Sequence, residues 1–247
     1  MADQVAIVTG ASRGIGLAIA QRFVAQGARV VVTGRDADAL EAAVKELGGS
    51  EVALGVAGKG DDPAHRAAVI DAARDRFGPV TTLINNIGIN PAYGPLATLD
   101  LNAARKMAEV NLIGTLGWVQ EALRGGLADG GSIVNISSVS GVRPAPGIAF
   151  YGTTKAALIH LTEELAIELA PKVRVNAVAP AVVKTRFATA LYEGREEQVA
   201  ATYPLKRLGT TDDVAATVAF LCSAESGWIT GQTIVIDGGI TLTGSVQ

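Results

Sequence analysis

The feature that most constrains this chain is a short apolar run that ends in a glycine-rich turn and leads into a helical pattern. The run covers residues 5–9, the turn covers 9–16 and the helical pattern covers 17–26. Such a turn lets the backbone approach a phosphate closely, and the first N–H groups of the helix favour an anion. The glycine spacing alone is common, but its position between a strand and a helix predicts a dinucleotide-binding site.

Strand and helix patterns then alternate along the whole chain. We expect further strands at 29–33, 51–56, 81–85, 132–137, 173–178 and 232–236, and helices at 37–47, 63–77, 101–127 and 212–223, with another helix that carries Tyr151. The valines Val30, Val31 and Val32 are typical of a strand covered by helices on both faces. The pattern predicts an α/β fold with a parallel sheet in one domain of residues 1–247.

Composition excludes several classes of function. A net charge of −3 offers no basic stripe for nucleic acid, and no apolar run approaches the roughly 18 residues of a membrane span. Cys222 is the only cysteine, so no intrachain disulfide and no cysteine-based metal site is expected. His65 and His160 lie far apart, and we interpret both as structural or solvated. Without a signal peptide pattern at the start, we expect a cytoplasmic protein with a small-molecule partner and no metal.

A tyrosine and a lysine mark the candidate catalytic region. Tyr151 and Lys155 lie four residues apart on the predicted helix, so the ammonium can lie near the phenol and favour its ionised form. A free phenol has a pKa of about 10, too high for efficient proton transfer at neutral pH. Ser138 ends the preceding strand and can point to the same place. The spacing alone fits a surface pair equally well.

The residues after the second strand indicate the cofactor. An acid there would bind the ribose 2′-hydroxyl of NAD, whereas arginines accommodate the 2′-phosphate of NADP. Arg35 occupies this region, Arg13 lies in the glycine turn, and Asp36 comes late enough to cap the next helix. We therefore predict NADP(H) in preference to NAD(H).

Two further groups of polar residues need an explanation. Asn86 and Gly88 follow the fourth strand, where ligands bind in open α/β sheets, and Asn111 lies in an apolar helix where its amide requires a partner. The mostly polar segment at about 181–207 is typical of a substrate loop or lid.

Taken together, these residues resemble the short-chain dehydrogenase/reductase family over essentially the whole chain. The shared residues are Gly10, Gly14, Gly16, Asn86, Gly88, Asn111, Ser138, Tyr151, Lys155, Pro180 and Thr185. The resemblance implies a Rossmann-type, doubly wound parallel sheet of seven strands. It is closest to the 3-oxoacyl carrier-protein reductases and the NADP-dependent carbonyl reductases.

The resemblance also implies roles for these residues. Tyr151 would protonate the substrate carbonyl oxygen, Lys155 would lower the tyrosine pKa and bind the nicotinamide ribose, and Ser138 would orient the substrate oxygen. Asn111 would hold a water that links Lys155 to solvent, and Thr185 would contact the carboxamide. The implied cofactor contacts are Gly10, Ser12, Arg13, Gly14, Ile15, Gly16, Arg35, Asn86, Gly88, Asn111, Tyr151, Lys155 and Thr185.

The chain departs from the family pattern at several positions. Lys59 stands where many relatives have an aspartate that contacts adenine, Ile87 replaces a small alanine, and Ala181 replaces a glycine. Asp129 lies where carrier-protein reductases tend to have a basic residue, although Lys172 keeps a second basic position. An acyl carrier protein is therefore a doubtful partner.

These observations predict an NADPH-dependent reductase of 3-oxoacyl thioesters or related ketones, acting as a homotetramer that pairs the helices of Asn111 and Tyr151. We expect an apolar substrate pocket from residues 89–96, 139–150 and 182–203. Arg143 could meet a phosphate or carboxylate, or be an exposed loop arginine. Two alternatives stay open, an NAD(H)-dependent secondary-alcohol dehydrogenase and a non-catalytic dinucleotide-binding regulator.

Overall fold

The computed structural model describes residues 4–127 and 130–243, and Asp129 and the first three residues lie outside this range. The strands are β1 Val5–Val8, β2 Arg29–Gly34, β3 Ala53–Ala57, β4 Thr82–Asn85, β5 Gly131–Ile136, β6 Val173–Pro180 and β7 Thr233–Ile236. They form one sheet in the order β3-β2-β1-β4-β5-β6-β7, and every pairing is parallel. The predicted doubly wound, seven-stranded sheet is confirmed.

Helices cover both faces of the sheet. They are α1 Gly14–Ala25, α2 Ala37–Glu46, α3 Pro63–Phe77, α4 Leu101–Ala108, α5 Gly114–Arg124, α6 Ala149–Leu169, α7 Glu196–Ala201 and α8 Thr211–Leu221. The single helix expected over 101–127 is wrong in one respect, because a π-helical turn over Glu109–Ile113 separates α4 from α5. No helix within the described part of the chain is long and apolar enough to cross a membrane.

The core forms two layers because successive strand residues point to opposite faces. Val30 and Val32 pack in one hydrophobic cluster with α1 and α8, whereas Val31 packs in the other with α3, α5 and α6. All three valines are fully buried, and each such burial contributes about 1.5–3 kcal/mol relative to exposure. Apolar runs in the strands therefore explain why helices are needed on both sides.

Short polar side chains fix the helix starts at the carboxyl edge of the sheet. Asp36 accepts a hydrogen bond from Ala39 N at 3.1 Å, which confirms the predicted cap of α2. Asp62 and Asp100 cap α3 and α4 in the same way. The carboxyl edge is where ligands bind in open parallel sheets, so these caps hold the loops that form the site.

Candidate active site

The glycine turn after β1 fits closely against the end of β4. Gly10 has a φ of 63°, a left-handed conformation that glycine adopts without a steric penalty. A Cβ on Gly16 would lie 2.7 Å from Asn86 Nδ2 and 2.7 Å from the carbonyl oxygen of Gly10. The turn therefore needs glycine at Gly16 to bring the start of α1 this close to the backbone.

Asn86 and Thr9 hold this turn in place. The Asn86 amide donates to the carbonyl oxygens of Thr9 and Gly10 at 2.9 and 3.0 Å. The Thr9 hydroxyl accepts from the backbone N–H groups of Asn86 and Ile87 at 2.9 and 3.2 Å. The conformation of the glycine turn is thus fixed by contacts between the ends of β1 and β4, and α1 begins directly within this turn.

Three basic side chains lie in the loops that follow β1, β2 and β3. Arg13, Arg35 and Lys59 are exposed, and the Ser12 hydroxyl lies 3.4 Å from where a Gly34 Cβ would stand. Asp36, the acid nearest to this point in the sequence, is engaged in capping α2. Two arginines and a hydroxyl are suitable donors for a phosphate, so these residues fit a cofactor that carries a 2′-phosphate.

The remaining predicted cofactor residues extend from the glycine turn toward Lys155. A Cβ on Gly14 would lie 3.6 Å from the Thr185 methyl group, and one on Gly88 would lie 3.2 Å from Lys155 Nζ. Ile15 packs its side chain against the core and so offers only its backbone to the cleft. These approaches bring Gly14 next to Thr185 and Gly88 next to Lys155 at the carboxyl edge of the sheet.

Lys155 is buried beside Tyr151. Its ammonium donates to the carbonyl oxygen of Ile136 at 2.8 Å and lies 5.7 Å from the centre of the Tyr151 ring. Only 2% of Lys155 is exposed. The helical spacing predicted from the sequence thus places the two groups together at the end of β5.

Ser138 is prepared to act as a hydrogen-bond donor. Its hydroxyl accepts from Ser140 N at 3.2 Å and from Ser140 Oγ at 2.9 Å. A serine hydroxyl has two lone pairs and one proton, so with both lone pairs engaged it can only donate further. Ser138 also hydrogen-bonds Tyr151, and this contact lowers the pKa of the phenol.

Burial is the main cause of the pKa shifts of both Tyr151 and Lys155. It raises the pKa of Tyr151 to about 12 and lowers the pKa of Lys155 to about 8. The direction for Tyr151 is opposite to the one expected from the spacing, because desolvation of the phenolate outweighs the hydrogen bond from Ser138. At neutral pH, Tyr151 is protonated and most of Lys155 carries its charge.

Asn111 fastens the loop after β4 to α6. Its side chain accepts from Ile89 N at 2.8 Å and donates to Ile89 O at 3.0 Å and to Thr154 Oγ1 at 3.1 Å. It is fully buried in the π-helical turn, and Thr115 donates to its carbonyl oxygen at 3.1 Å. The structure thus supplies the partners that an amide in an apolar helix needs, while its water-holding role stays a prediction.

Ile87 and Gly60 form a matched pair that the sequence did not reveal. A Cβ on Gly60 would lie 2.3 Å from Ile87 Cδ1, and one on Gly10 would lie 3.1 Å from Ile87 Cγ1. The large side chain that replaces alanine therefore fits because residue 60 is glycine. Only the approach of two loops distant in sequence could have shown this.

Several side chains around Tyr151 are apolar. The Phe187 ring lies 6.3 Å from the Tyr151 ring, and Ile148 and Phe150 line a small pocket that Tyr151 also lines. Arg143 donates to Ile240 O at 2.9 Å, so its guanidinium is engaged by the chain itself. Of these features, the sequence indicated the apolar character of the loops but not the position of Phe187.

The histidines and the cysteine lie outside this region. His65 is buried against Trp118, His160 lies between Glu163 and Glu164 on the surface of α6, and Cys222 is buried. No group of three or more potential metal ligands occurs in residues 4–127 and 130–243.

Comparison with known proteins gives consistent matches over nearly the full chain. A family model described as Enoyl-(Acyl carrier protein) reductase matches residues 10–241. Tropinone reductase-like 3 from Erythroxylum coca is 40% identical over 96% of this chain and 92% of its own. The NADP-dependent (R)-specific alcohol dehydrogenase of Lentilactobacillus kefiri is 39% identical over 96% of both chains. A short-chain dehydrogenase/reductase, glucose/ribitol dehydrogenase, from Brucella melitensis superimposes with a TM-score of 0.93 at 34% identity over 97% of both chains.

Proposed function

We propose that this chain, which belongs to the short-chain dehydrogenase/reductase family, reduces a ketone to a secondary alcohol with NADPH. The observation that carries the proposal is the meeting of Ser138, Tyr151 and Lys155 at the end of β5, beside the cofactor cleft. Two hydroxyl donors and a buried ammonium in one place suit a carbonyl oxygen that gains negative charge. A regulator that only binds dinucleotide would not need this arrangement.

The side chains divide the work of reduction between them. NADPH, when bound, supplies the hydride. Ser138 turns its single proton from Tyr151 to the carbonyl oxygen when the ketone binds, since both of its lone pairs are engaged by Ser140. Tyr151, which is protonated at neutral pH, delivers its proton to the same oxygen. The Lys155 ammonium stabilises the phenolate that forms, because opposite charges attract strongly in a site with little water.

The basic residues support NADP(H) as the cofactor. Arg13 and Arg35 are exposed beside Ser12, and Asp36 is occupied as a helix cap. Lys59 adds a third positive charge at this end of the cleft. The similar alcohol dehydrogenase from Lentilactobacillus kefiri is NADP-dependent by name.

The preferred substrate class is a 3-oxoacyl thioester or a related β-keto or carbonyl compound. Ile148, Phe150 and Phe187 near Tyr151 are apolar, which favours a substrate with apolar groups beside its carbonyl. An acyl carrier protein is not required by these contacts. Acetoacetyl thioesters of coenzyme A and of a carrier protein, compared side by side, would separate the two possibilities.

The test follows the absorbance of NADPH with a panel of β-ketoesters, diketones and 3-oxoacyl thioesters. We expect turnover with NADPH to exceed turnover with NADH, and Arg35→Asp to narrow or reverse this preference. An NAD(H)-dependent alcohol dehydrogenase would instead prefer NADH before any substitution. If Tyr151→Phe retained full turnover, the assigned proton donor would be wrong.

A homotetramer is part of the same proposal. Ile167 on α6 is 82% exposed and Leu101 on α4 is 65% exposed, and both are large apolar side chains on helices. Pairing these helices between copies would remove this surface from water, which is favourable. Gel filtration with light scattering tests the expected assembly, and a monomer would contradict it.

A further inference from the structure

Three consecutive residues at the end of β5 contact the two proposed catalytic groups of α6. The Ile136 carbonyl oxygen accepts from Lys155 Nζ at 2.8 Å, and Ser138 hydrogen-bonds Tyr151. Between them in the chain, the Ser137 hydroxyl donates to the backbone carbonyl oxygen of Lys155 at 2.9 Å. Ser137 thus joins the end of the sheet to the helix backbone at the residue that carries the ammonium.

Ser137 is itself held in place by the sheet. Its N–H donates to Val178 O in β6 at 2.8 Å, and only 4% of the residue is exposed. The loop that follows it packs against the same part of α6, because a Cβ on Gly141 would lie 2.7 Å from the carbonyl carbon of Lys155. The helix backbone therefore lies against a fixed support, and Ser137 supplies a directional bond at that contact.

Lys155 needs such a bond because its charge is buried. Burial lowers the pKa of this group to about 8, so water stabilises the ammonium better than the site does. The groups that other elements place around it are uncharged, namely the Ile136 carbonyl, Gly88 and the Asn111 amide. No carboxylate pairs with Lys155 in the part of the chain that the structure describes. Its charge therefore favours any shift of α6 toward water, and a bond from the sheet to the helix backbone opposes that shift.

We propose that Ser137 is a positioning residue for ketone reduction, which keeps the Lys155 ammonium beside Tyr151 by fixing the backbone of α6 to the end of β5. This inference rests on the proposed ketone reduction. Ser137 acts through Lys155 and contacts neither substrate nor cofactor. The two adjacent serines then have separate tasks, since Ser138 serves the reacting oxygen and Ser137 holds the helix.

Ser137→Ala removes this bond with little other disturbance, because Lys155 O stays within the hydrogen-bond ladder of α6. We expect kcat for ketone reduction to fall about tenfold, with KM for the ketone changed less than about threefold, since a small displacement of a catalytic group affects the rate more than binding. The fall of kcat/KM for NADPH expected near pH 8 should move upward by about one pH unit, because water raises the pKa of Lys155 toward its ordinary value.

Thr162→Val is the matched control. The Thr162 hydroxyl is fully buried, donates to Leu158 O on the same helix at 2.8 Å and accepts from Asn135 Nδ2 at 2.9 Å. Its loss should cost at least as much stability as Ser137→Ala, because it leaves the Asn135 amide without this acceptor. Thr162 lies about two turns beyond Lys155, so the control should keep the pH profile of the unmodified chain.

A second measurement needs no turnover. Acetic anhydride at about pH 10 acetylates uncharged lysines, and most of Lys155 is uncharged there. Mass spectrometry of the peptides then compares Lys155 with the exposed Lys59 of the same molecule. We expect Ser137→Ala to raise the relative labelling of Lys155 by about tenfold, and Thr162→Val to change it by less than about twofold, since only the first releases this part of α6.

The outcomes are distinguishable. A lower kcat together with an upward move of the pH profile in Ser137→Ala alone supports the proposal. An unchanged kcat, an unmoved pH profile, or equal effects in Thr162→Val overturn it and leave the proposed function standing. If the unmodified chain reduces no ketone, the proposed function fails, and the labelling still shows whether Ser137 holds Lys155 in place. Unchanged labelling in Ser137→Ala overturns the inference in either case.

Discussion

Asn111 offers the sharpest test of how the site is held together. Asn111→Ala removes an acceptor for Ile89 N and donors to Ile89 O and Thr154 Oγ1, three hydrogen bonds of 2.8, 3.0 and 3.1 Å. Each contributes about 1 kcal/mol net, so the free energy of unfolding should fall by about 3 kcal/mol. That change corresponds to about a hundredfold in the unfolding equilibrium.

The assay is urea unfolding followed by circular dichroism, with the slope of the transition checked for constancy. Thr154→Val is the matched control, because it removes one of the three Asn111 bonds, together with the local bond from Thr154 Oγ1 to Tyr151 O at 2.7 Å, and should still cost less than Asn111→Ala. Activity measurements separate the structural role of Asn111 from its expected role in holding a water. If Asn111 holds that water, Asn111→Ala should lower kcat more than Thr154→Val does and should change the pH dependence of kcat. A loss of stability below about 0.5 kcal/mol in Asn111→Ala would refute the reasoning from hydrogen bonds.

Three further predictions concern proton transfer, packing and positioning. The value of kcat/KM for NADPH should fall as pH rises through about 8, because Lys155 loses its charge there. Lys155→Arg should move this fall to higher pH. A pH profile that is flat for both the variant and the parent would contradict the role assigned to the Lys155 charge. Gly60→Ala should lower the free energy of unfolding by about 1–2 kcal/mol, because the added Cβ would lie 2.3 Å from Ile87 Cδ1. In an Ile87→Ala background the same substitution should cost almost nothing. If urea unfolding showed that the two costs add, Gly60 and Ile87 would not be a matched pair. Ser140→Ala should lower kcat about tenfold with a smaller effect on KM, because it leaves one lone pair of the Ser138 hydroxyl without a donor. An unchanged kcat for ketone reduction would show that Ser140 does not position Ser138.

Much of the fold could be predicted because its signals are local. The helix expected over 63–77 is found at Pro63–Phe77, where Asp62 caps the first turn and Pro63 stands at its start. Asp36 was identified as a cap from its position alone, and the contact is present. The π-helical turn could not be predicted, because its residues suit an ordinary helix and its partners come from Ile89 and Thr154.

The candidate site, like the fold, could be predicted from the sequence only in part. The whole set of motifs along the chain, and not the four-residue spacing alone, pointed to Ser138, Tyr151 and Lys155, and the structure brings these residues together. The pKa of Tyr151 was predicted in the wrong direction, since burial depends on the whole fold and not on the four-residue spacing. Ser140 and Phe187 lie within the predicted pocket segments 139–150 and 182–203 but were not singled out, because their contacts with Ser138 and Tyr151 join side chains distant from any short sequence pattern.

The π-helical turn also sets the rotational phase of α5. An α-helix advances by about 100° per residue, so a turn that holds one extra residue shifts every later side chain by about that angle. Trp118, Val119 and Ala122 face the core from this shifted position. A deletion within Glu109–Ile113 would rotate them away from the sheet even if Asn111 were kept. The turn is therefore constrained in its number of residues as well as in their identity. Losing one residue would disturb the packing of α5 at positions where a substitution would leave that packing unchanged.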